Sequence, residues 1–331
     1  MSLWQISVDE PKPFELLQPT SINEALELGA RHGGDAAFLA GGCDLLDHLK
    51  HQTMAPHYVI NLKGIAELRY VSITKEKIDL GALITLGEIE RNRDLAQLLP
   101  GLVKAASRVA TPQIRNLGTL GGNLLQDSRC GYYRGPWYCY RAGGITCDAH
   151  HGINAEHAIF GGDRCYTVSP SDLAPILVAL DATAKIAGDR DELPLAELFV
   201  GPDQNILAMH RLKPGELLLG VTIPLHTNQR STFVKYAMRQ SWDFALASVA
   251  VVFKAEAGRC QDCRIVLGGI APTPWRSFTA EQEIEGKPLV AINIESAARA
   301  AIAGAKPLKH NEYKLGLVKK LVRTALTELS A

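Results

Sequence analysis

Four of the seven cysteines in this 331-residue chain, Cys130, Cys139, Cys147 and Cys165, fall between Gln126 and Val168, separated by gaps of 8, 7 and 17 residues. Thiols gathered in this way can ligate a metal or pair as disulfides. The odd cysteine total favours reduced thiols or metal ligation, as does a beginning, MSLWQISVDEPKPFELL, that lacks a basic region followed by an apolar one. The stretch offers only Ile145, Ile153, Ile159 and Val168 as large aliphatic side chains. Burial alone cannot offset the entropy of ordering a segment so poor in packing atoms, and long loops inside domains are uncommon unless functional. Something other than a core must fix it. A further close pair, Cys260-x2-Cys263, lies between KAEAGR and RIVLGGIAP. That reads as a turn joining two strands, and no second pair completes a four-ligand site.

Glycine supplies the second kind of chemistry. Residues Ala36 to Leu39 read as a short buried strand running into Ala40, Gly41, Gly42, Cys43 and Asp44, followed by the apolar-patterned LLDHLK helix. Strand, glycine turn and helix can bind phosphate, because glycine allows positive φ and close approach, so that successive N–H groups can point at an anion. The same sequence also makes a plain turn. A second stretch, TPQIRNLGTLGGNLLQ, places Gly118, Gly121 and Gly122 among Asn116, Thr119 and Asn123. It matches neither the Walker nor the Rossmann glycine pattern, yet it reads as a donor-rich loop. Two such loops suit a ligand with more than one phosphate.

The elements that must position these loops are those of a mixed α/β chain. Ser21 and Glu24 have capping-box spacing at the head of the helix INEALELGARHGG. HYVINL reads as a strand, and RYVSIT and KIDLGALIT as a hairpin-like pair. LGEIERNRDLAQLL and GLVKAASRVA read as helices broken at Pro100. The carboxy-terminal HNEYKLGLVKKLVRTALTEL reads as an amphipathic helix packed on a sheet. With 47% hydrophobic and 21% charged residues the composition is that of a globular protein. Thirty-five basic and thirty-five acidic side chains balance, which argues against an electrostatic grip on nucleic acid or an anionic membrane. No apolar run approaches the roughly 20 residues that span a bilayer. No nucleophile with a base and no open metal site is visible, so no catalytic residue is assigned and the chemistry is expected to be a cofactor's.

In order, AGGCDLL (residues 40–46), TPQIRNLGTLGGNLLQ (111–126) and SPSDLAPILVALDA (169–182) resemble the FAD-binding medium subunit of the molybdenum hydroxylase (xanthine dehydrogenase) family, over essentially the whole chain. The resemblance implies an α+β chain. A two-lobed α/β FAD-binding domain of the p-cresol methylhydroxylase type would carry an iron-sulfur loop insertion and be followed by a carboxy-terminal α+β domain. The parts fall at residues 1–65 (first lobe), 66–201 (second lobe, with the insertion at 126–168) and 220–331. Carried over, Leu39, Ala40, Gly41, Gly42, Cys43, Asp44 and Leu45 form the first FAD loop, with Cys43 where the family more often has Thr. Thr111, Gly118, Thr119, Gly121, Gly122 and Asn123 form the second. Asp172 matches an acidic residue at the ribityl chain; it also suits a helix N-cap, which Ser169 or Ser171 could equally supply. Lys235, Arg239 and Trp242 are candidates near the flavin ring, with a surface salt bridge as the alternative for a cation there.

Most members of the family run almost directly from the GGN loop into the SDLAP helix. The cysteine loop inserted here resembles those of 4-hydroxybenzoyl-CoA reductase and of heterotrimeric bacterial aldehyde oxidoreductases, which implies a 4Fe-4S cluster on Cys130, Cys139, Cys147 and Cys165. Their spacing lacks the short C-x2-4-C pairs usual for structural zinc, and four thiolates from a long loop suit a cubane. His150, His151 and His157 are possible replacement ligands. Tyr132, Tyr133, Trp137, Tyr138 and Tyr140 are expected to wrap the cluster. The implied partners are a large subunit with molybdopterin, a small subunit with a 2Fe-2S cluster and an external electron carrier, ferredoxin-like or other. Neither nucleic acid nor membrane insertion is expected. The substrate would be an aldehyde or aromatic compound, and the location cytoplasmic by default, or periplasmic by co-export with a partner. A stand-alone FAD oxidoreductase and a zinc-stapled non-enzymatic scaffold are the alternatives.

Overall fold

The computed structural model describes residues 10–188 and 192–330. Residues 1–9, on which the expectation about a leader falls, lie outside the described residues. The first lobe contains β1 (Glu15–Leu17), α1 (Ile22–His32), β2 (Ala36–Leu39), α2 (Leu45–Lys50) and β3 (Tyr58–Asn61), with the strands parallel in the order β1-β3-β2. The parallel neighbours β2 and β3 need a crossover, which α2 supplies. Ser21 caps α1 by accepting the Glu24 N–H at 3.2 Å. The Glu24 carboxylate returns to the Thr20 N–H at 2.7 Å rather than to that of Ser21, so the box closes one residue early. Gly29 lets α1 lie against β2, since a Cβ there would stand 2.7 Å from the Phe38 ring.

The second lobe begins with the expected hairpin, β4 (Val71–Ile73) and β5 (Lys77–Gly81). Three helices follow where two were expected: α3 (Leu86–Arg91), α4 (Arg93–Leu98) and α5 (Pro100–Ser107). Asn92 accepts the Leu95 N–H and starts a new helix, while Pro100 opens α5 rather than only breaking its predecessor. Next come α6 (Pro112–Arg115), α7 (Leu120–Leu125), α8 (Asp148–His151), α9 (Leu173–Ala179), β6 (Thr183–Ala187), β7 (Glu192–Pro194), α10 (Leu195–Leu198) and β8 (Leu217–Pro224). The sheet runs β4-β5-β8-β6-β7, so β8 is its middle strand, paired antiparallel with β5 and β6. A domain boundary at residue 220 therefore cuts a central strand. The physical break is the connection after Pro224, because β8 completes the second lobe.

The carboxy-terminal domain has β9 (Gln229–Tyr236), β10 (Ala247–Glu256), β11 (Arg259–Gly268) and β12 (Trp275–Arg276) in the order β12-β11-β10-β9, with α11 (Phe278–Ile284), α12 (Ile294–Ala300) and α13 (Tyr313–Ser330). Strand β10 explains the unbroken apolar run SVAVVF. Ala250 and Val252 face the second-lobe core, and Val249, Val251 and Phe253 face the core under α13. A strand buried on both faces shows no alternation. Cys260 and Cys263 lie inside β11, not in a turn. The ladder shifts register between Val252 and Lys254, and Asp262 has φ +51°, so a bulge turns both thiols into one apolar core. Among the described residues no helix is long and apolar enough to cross a membrane.

Residues 126–168 have little regular structure besides α8, and α13 helps to hold them. Lys314 of α13 is fully buried, and its ammonium donates to the Glu156 and Gly269 carbonyls at 2.8 Å each. Burial pulls its pKa down to about 7, with Glu156 working against the shift. The unfolded lysine titrates at its ordinary value of 10.5. Between those two values the unfolded chain binds more protons than the folded one, so stability contributed through Lys314 rises with pH from 7 to 10. In denaturant titrations the native chain should gain on Lys314→Met across that window, by on the order of 3 kcal/mol. Parallel pH profiles for the two proteins would show that Lys314 keeps its proton in the fold.

Candidate functional site

The first glycine loop leaves β2 at Leu39 and enters α2 at Leu45. Gly42 has φ +81°, which demands glycine. Gly41 is required by contact: a Cβ there would sit 2.3 Å from the Leu117 carbonyl oxygen. The two glycine stretches therefore touch. Leu46 N–H closes the turn onto the Gly42 carbonyl, while the N–H groups of residues 41–45 form no hydrogen bond to protein among the described residues. That leaves a row of free donors at a place where side chains are excluded, which fits an anionic diphosphate. Ala40 and Leu45 flank the row half-buried, and the Cys43 side chain is exposed.

The second stretch differs from the donor-rich loop expected. Gly121 and Gly122 lie in the first turn of α7, and its donors are already taken. Leu120 N–H bonds the Ile84 carbonyl at 2.9 Å, Gly121 N–H that of Ala82 at 2.8 Å, and Asn123 N–H that of Thr119 at 2.9 Å. Gly122 N–H bonds the Thr119 hydroxyl at 3.1 Å. Gly121 is needed for close packing, since a Cβ would lie 3.1 Å from Ala82. Thr111 caps α6. Gly118 and Leu117 form the wall behind Gly41. The Asn123 side chain accepts from Ser171 at 2.7 Å and from Leu173 N–H at 3.3 Å, tying α7 to α9.

Asp172 does not cap α9; Ser171 does, accepting the Ala174 N–H at 3.0 Å. The Asp172 carboxylate instead meets Lys235 Nζ at 2.6 Å, with both side chains under 5% exposed. Lys235 also donates to the Arg108 carbonyl at 3.0 Å. It is thus in a buried ion pair between α9 and β9, not in a surface salt bridge. Burial pushes the Asp172 carboxyl up, and Lys235 opposes that shift. Arg239 makes the surface bridge, to Asp243 at 2.6 Å, and Trp242 is 59% exposed on the same loop.

Asp44 has a role the sequence did not signal. Its carboxylate accepts from Arg134 at 2.7 Å, from Arg129 at 3.0 Å and from the Asp127 N–H at 2.6 Å. Arg134 also reaches Asp47 at 3.0 Å and the Ser128 carbonyl at 2.8 Å. Arg141 pairs with Asp127 at 2.5 Å and donates to the Ile206 carbonyl at 3.1 Å, while Tyr133 donates to Asp127 at 2.9 Å. Burial tends to raise the Asp127 carboxyl, but Arg141 and the Ser128 N–H outweigh it and hold it below the usual range. His48 lies 3.8 Å from Asp44 and 3.7 Å from Asp127. Its pKa is lowered, first by burial and then by Arg134. This network fastens the cysteine segment to the first glycine loop. Ser128 and Thr167 close the base of the segment through a hydroxyl–hydroxyl hydrogen bond.

Cys130, Cys139, Cys147 and Cys165 line one small cavity. Tyr132, Tyr133 and Tyr140 stand in its wall as expected, joined by Tyr166. Trp137 and Tyr138 do not: Trp137 packs edge-on against Tyr132 at 5.2 Å, and Tyr138 is 71% exposed. His150 and His151 are exposed on α8. His157 is buried, with Nε2 3.3 Å from Cys130 Sγ. Burial pushes the Cys130 thiol up to about 12 and that of Cys165 to about 11. Without a cation these two thiols stay protonated, whereas a coordinated metal deprotonates a thiol outright. Among the described residues no three His, Cys, Asp or Glu side chains converge as ligands of a single metal ion. The shared cavity is the more telling of these two observations, because a cubane binds each thiolate to a different iron and needs its sulfurs spread around a volume. Soft donors around one cavity with an aromatic wall fit such a cluster.

A family model described as the FAD binding domain in molybdopterin dehydrogenase matches residues 12–226, and one described as the CO dehydrogenase flavoprotein C-terminal domain matches residues 232–329. The gap between them overlaps the β8–β9 connection. The aldehyde oxidoreductase FAD-binding subunit PaoB of Escherichia coli is 31% identical over 316 residues, covering 92% of this chain and 94% of PaoB. The carbon monoxide dehydrogenase medium chain of Hydrogenophaga pseudoflava is 25% identical, covering 96% of each chain. A solved carbon monoxide dehydrogenase from that organism, in a form lacking the Mo-pyranopterin moiety, aligns with a TM-score of 0.75 at 26% identity, over 96% of this chain and 98% of that one.

Two predictions follow from the ion pairs. Arg134→Met leaves Asp44 and Asp47 without their closest cation and should cost about 3 kcal/mol, with limited proteolysis beginning inside residues 126–168. First cleavage elsewhere at unchanged stability would show that the network does not dock the segment. Lys235→Met should destabilise by a similar amount, about 3 kcal/mol, and adding Asp172→Asn should restore part of it. Strict additivity in the double-mutant cycle would deny the coupling.

Proposed function

Because the chain belongs to the family of FAD-binding subunits of molybdenum hydroxylases, we propose that it is the flavin and iron-sulfur subunit of an oxidoreductase complex acting on an aldehyde or aromatic substrate. The observation that carries this reading is the cavity shared by Cys130, Cys139, Cys147 and Cys165, built on a segment that Asp44 and Arg134 lock to the first glycine loop. In this reading FAD, when bound, exchanges two electrons and a 4Fe-4S cluster one at a time, with substrate chemistry on a partner subunit.

The chain's own residues bind and shield. The N–H groups of residues 41–45 hold the diphosphate, with Leu39 and Leu45 bounding the loop. Gly118, Thr119, Gly121, Gly122 and Asn123 back it and set its distance from α7. Asp172, kept in place by Lys235, would hold the ribityl chain. Four thiolates hold the cluster, and Tyr132, Tyr140 and Tyr166 exclude water from it. The relatives include an aldehyde oxidoreductase subunit and a carbon monoxide dehydrogenase medium chain, which supports a large molybdopterin subunit and a small 2Fe-2S subunit as partners. An external carrier, ferredoxin-like or another redox protein, completes the assembly. It works in the cytoplasm unless a partner with an export signal carries it out folded.

Pull-down of the chain from its native cell should bring both partner subunits. Turnover of a small substrate by the isolated chain without molybdenum would instead establish a stand-alone oxidase. Cys139→Ser should abolish the iron absorbance and leave FAD bound. A full four-iron signal in that variant would remove Cys139 from the ligand set.

A further inference from the structure

We propose that His157 is a positioning residue that donates its Nε2 proton to the Cys130 sulfur and thereby raises the reduction potential of the cluster. The carboxy-terminal helix α13 fixes it in that role. The inference rests on the iron-sulfur reading above. His157 Nε2 lies 3.3 Å from Cys130 Sγ, and the residue is 8% exposed. Its other ring nitrogen, Nδ1, is buried and has no hydrogen-bond partner among the described residues. One proton must be placed on two nitrogens. On Nδ1 it would be a buried donor with no acceptor and would leave the Nε2 lone pair facing sulfur. On Nε2 it makes the one bond available.

The backbone that carries the ring is held by the carboxy-terminal domain. Asn311 Nδ2 donates to the His157 carbonyl at 3.0 Å, and His157 N–H donates to the Asn154 carbonyl at 3.1 Å. Asn154 in turn accepts the His310 N–H at 2.9 Å, and Lys314 clamps the Glu156 carbonyl at 2.8 Å. Two buried side chains at the head of α13 therefore grip the backbone carbonyls of Glu156 and His157. An N–H aimed at a coordinating thiolate withdraws charge from it and favours the reduced, more negative cluster, so its loss lowers the potential.

The test uses the full chain loaded with flavin and iron, with cluster potentials read from redox titration followed by electron paramagnetic resonance. His157→Phe should keep wild-type iron and sulfide while the potential falls by at least a tenfold shift in the one-electron equilibrium, ~59 mV. His157→Gln, which retains an N–H donor, should recover most of that fall. An unchanged potential in His157→Phe overturns the proposal, and so does loss of one or more irons, which would make His157 a ligand. A readout without any variant guards against misfolding: the reduced native protein should show an exchangeable proton coupled to the cluster together with a histidine nitrogen. Absence of that coupling overturns the proposal equally. A native chain holding no iron at all would instead defeat the iron-sulfur reading beneath it.

Discussion

The salt-bridge network between Asp44, Asp47 and Asp127 on one side and Arg129, Arg134 and Arg141 on the other is the contact on which the rest of the site depends. A segment with four large aliphatic residues cannot be fixed by a core of its own, so charge does the work. The arrangement is stabilising only because it is complete. Arg134 and Arg141 have side chains no more than 6% exposed, and each faces a carboxylate and a backbone carbonyl. Removing one partner would strand the other away from water, which is why such networks act as registers more than as sources of stability. Asp44 and Asp127 sit at the two ends of the register. Asp44 lies within the free N–H row of the first loop, and Asp127 follows α7.

The consequence is spatial. The register brings the cysteine cavity beside the glycine loops, and the Asn123–Ser171 and Asp172–Lys235 contacts bring α9 and β9 to the same region. Arg129 adds a bond to the third body of the chain, its guanidinium lying 4.9 Å over the Phe244 ring. A cofactor seated on these loops would thus be bordered by both lobes, by the insertion and by the carboxy-terminal domain. Interfaces between lobes are the usual place for such a site. At the far side Asn311 and Lys314, before and in the first turn of α13, close residues 126–168, so the segment is anchored at both ends.

Much of this was legible in the chain because it is local. Ser21 caps its helix by a rule of spacing, Gly42 marks a positive φ, and alternation marks strands solvated on one side. What escaped is what depends on distant partners. Nothing in AGGCDLL shows that Asp44 will meet arginines about ninety residues on. Nothing in TLGGN shows that the N–H groups of residues 120–123 will be spent on Ala82, Ile84 and Thr119. The middle position of β8 is likewise set by pairing with β5 and β6, which lie far away in sequence. The bulge at Asp262 shows the same limit at short range. An extra residue in a strand reverses which side chains share a face, and Cys260 and Cys263 come to the same core.

The central claim is that the insertion is a redox centre built beside a flavin. It is tested most directly by quantitative iron, sulfide and flavin analysis of the purified chain. The account predicts one FAD with about four iron and about four acid-labile sulfide per chain. One zinc with no labile sulfide, or flavin with no iron, would contradict it.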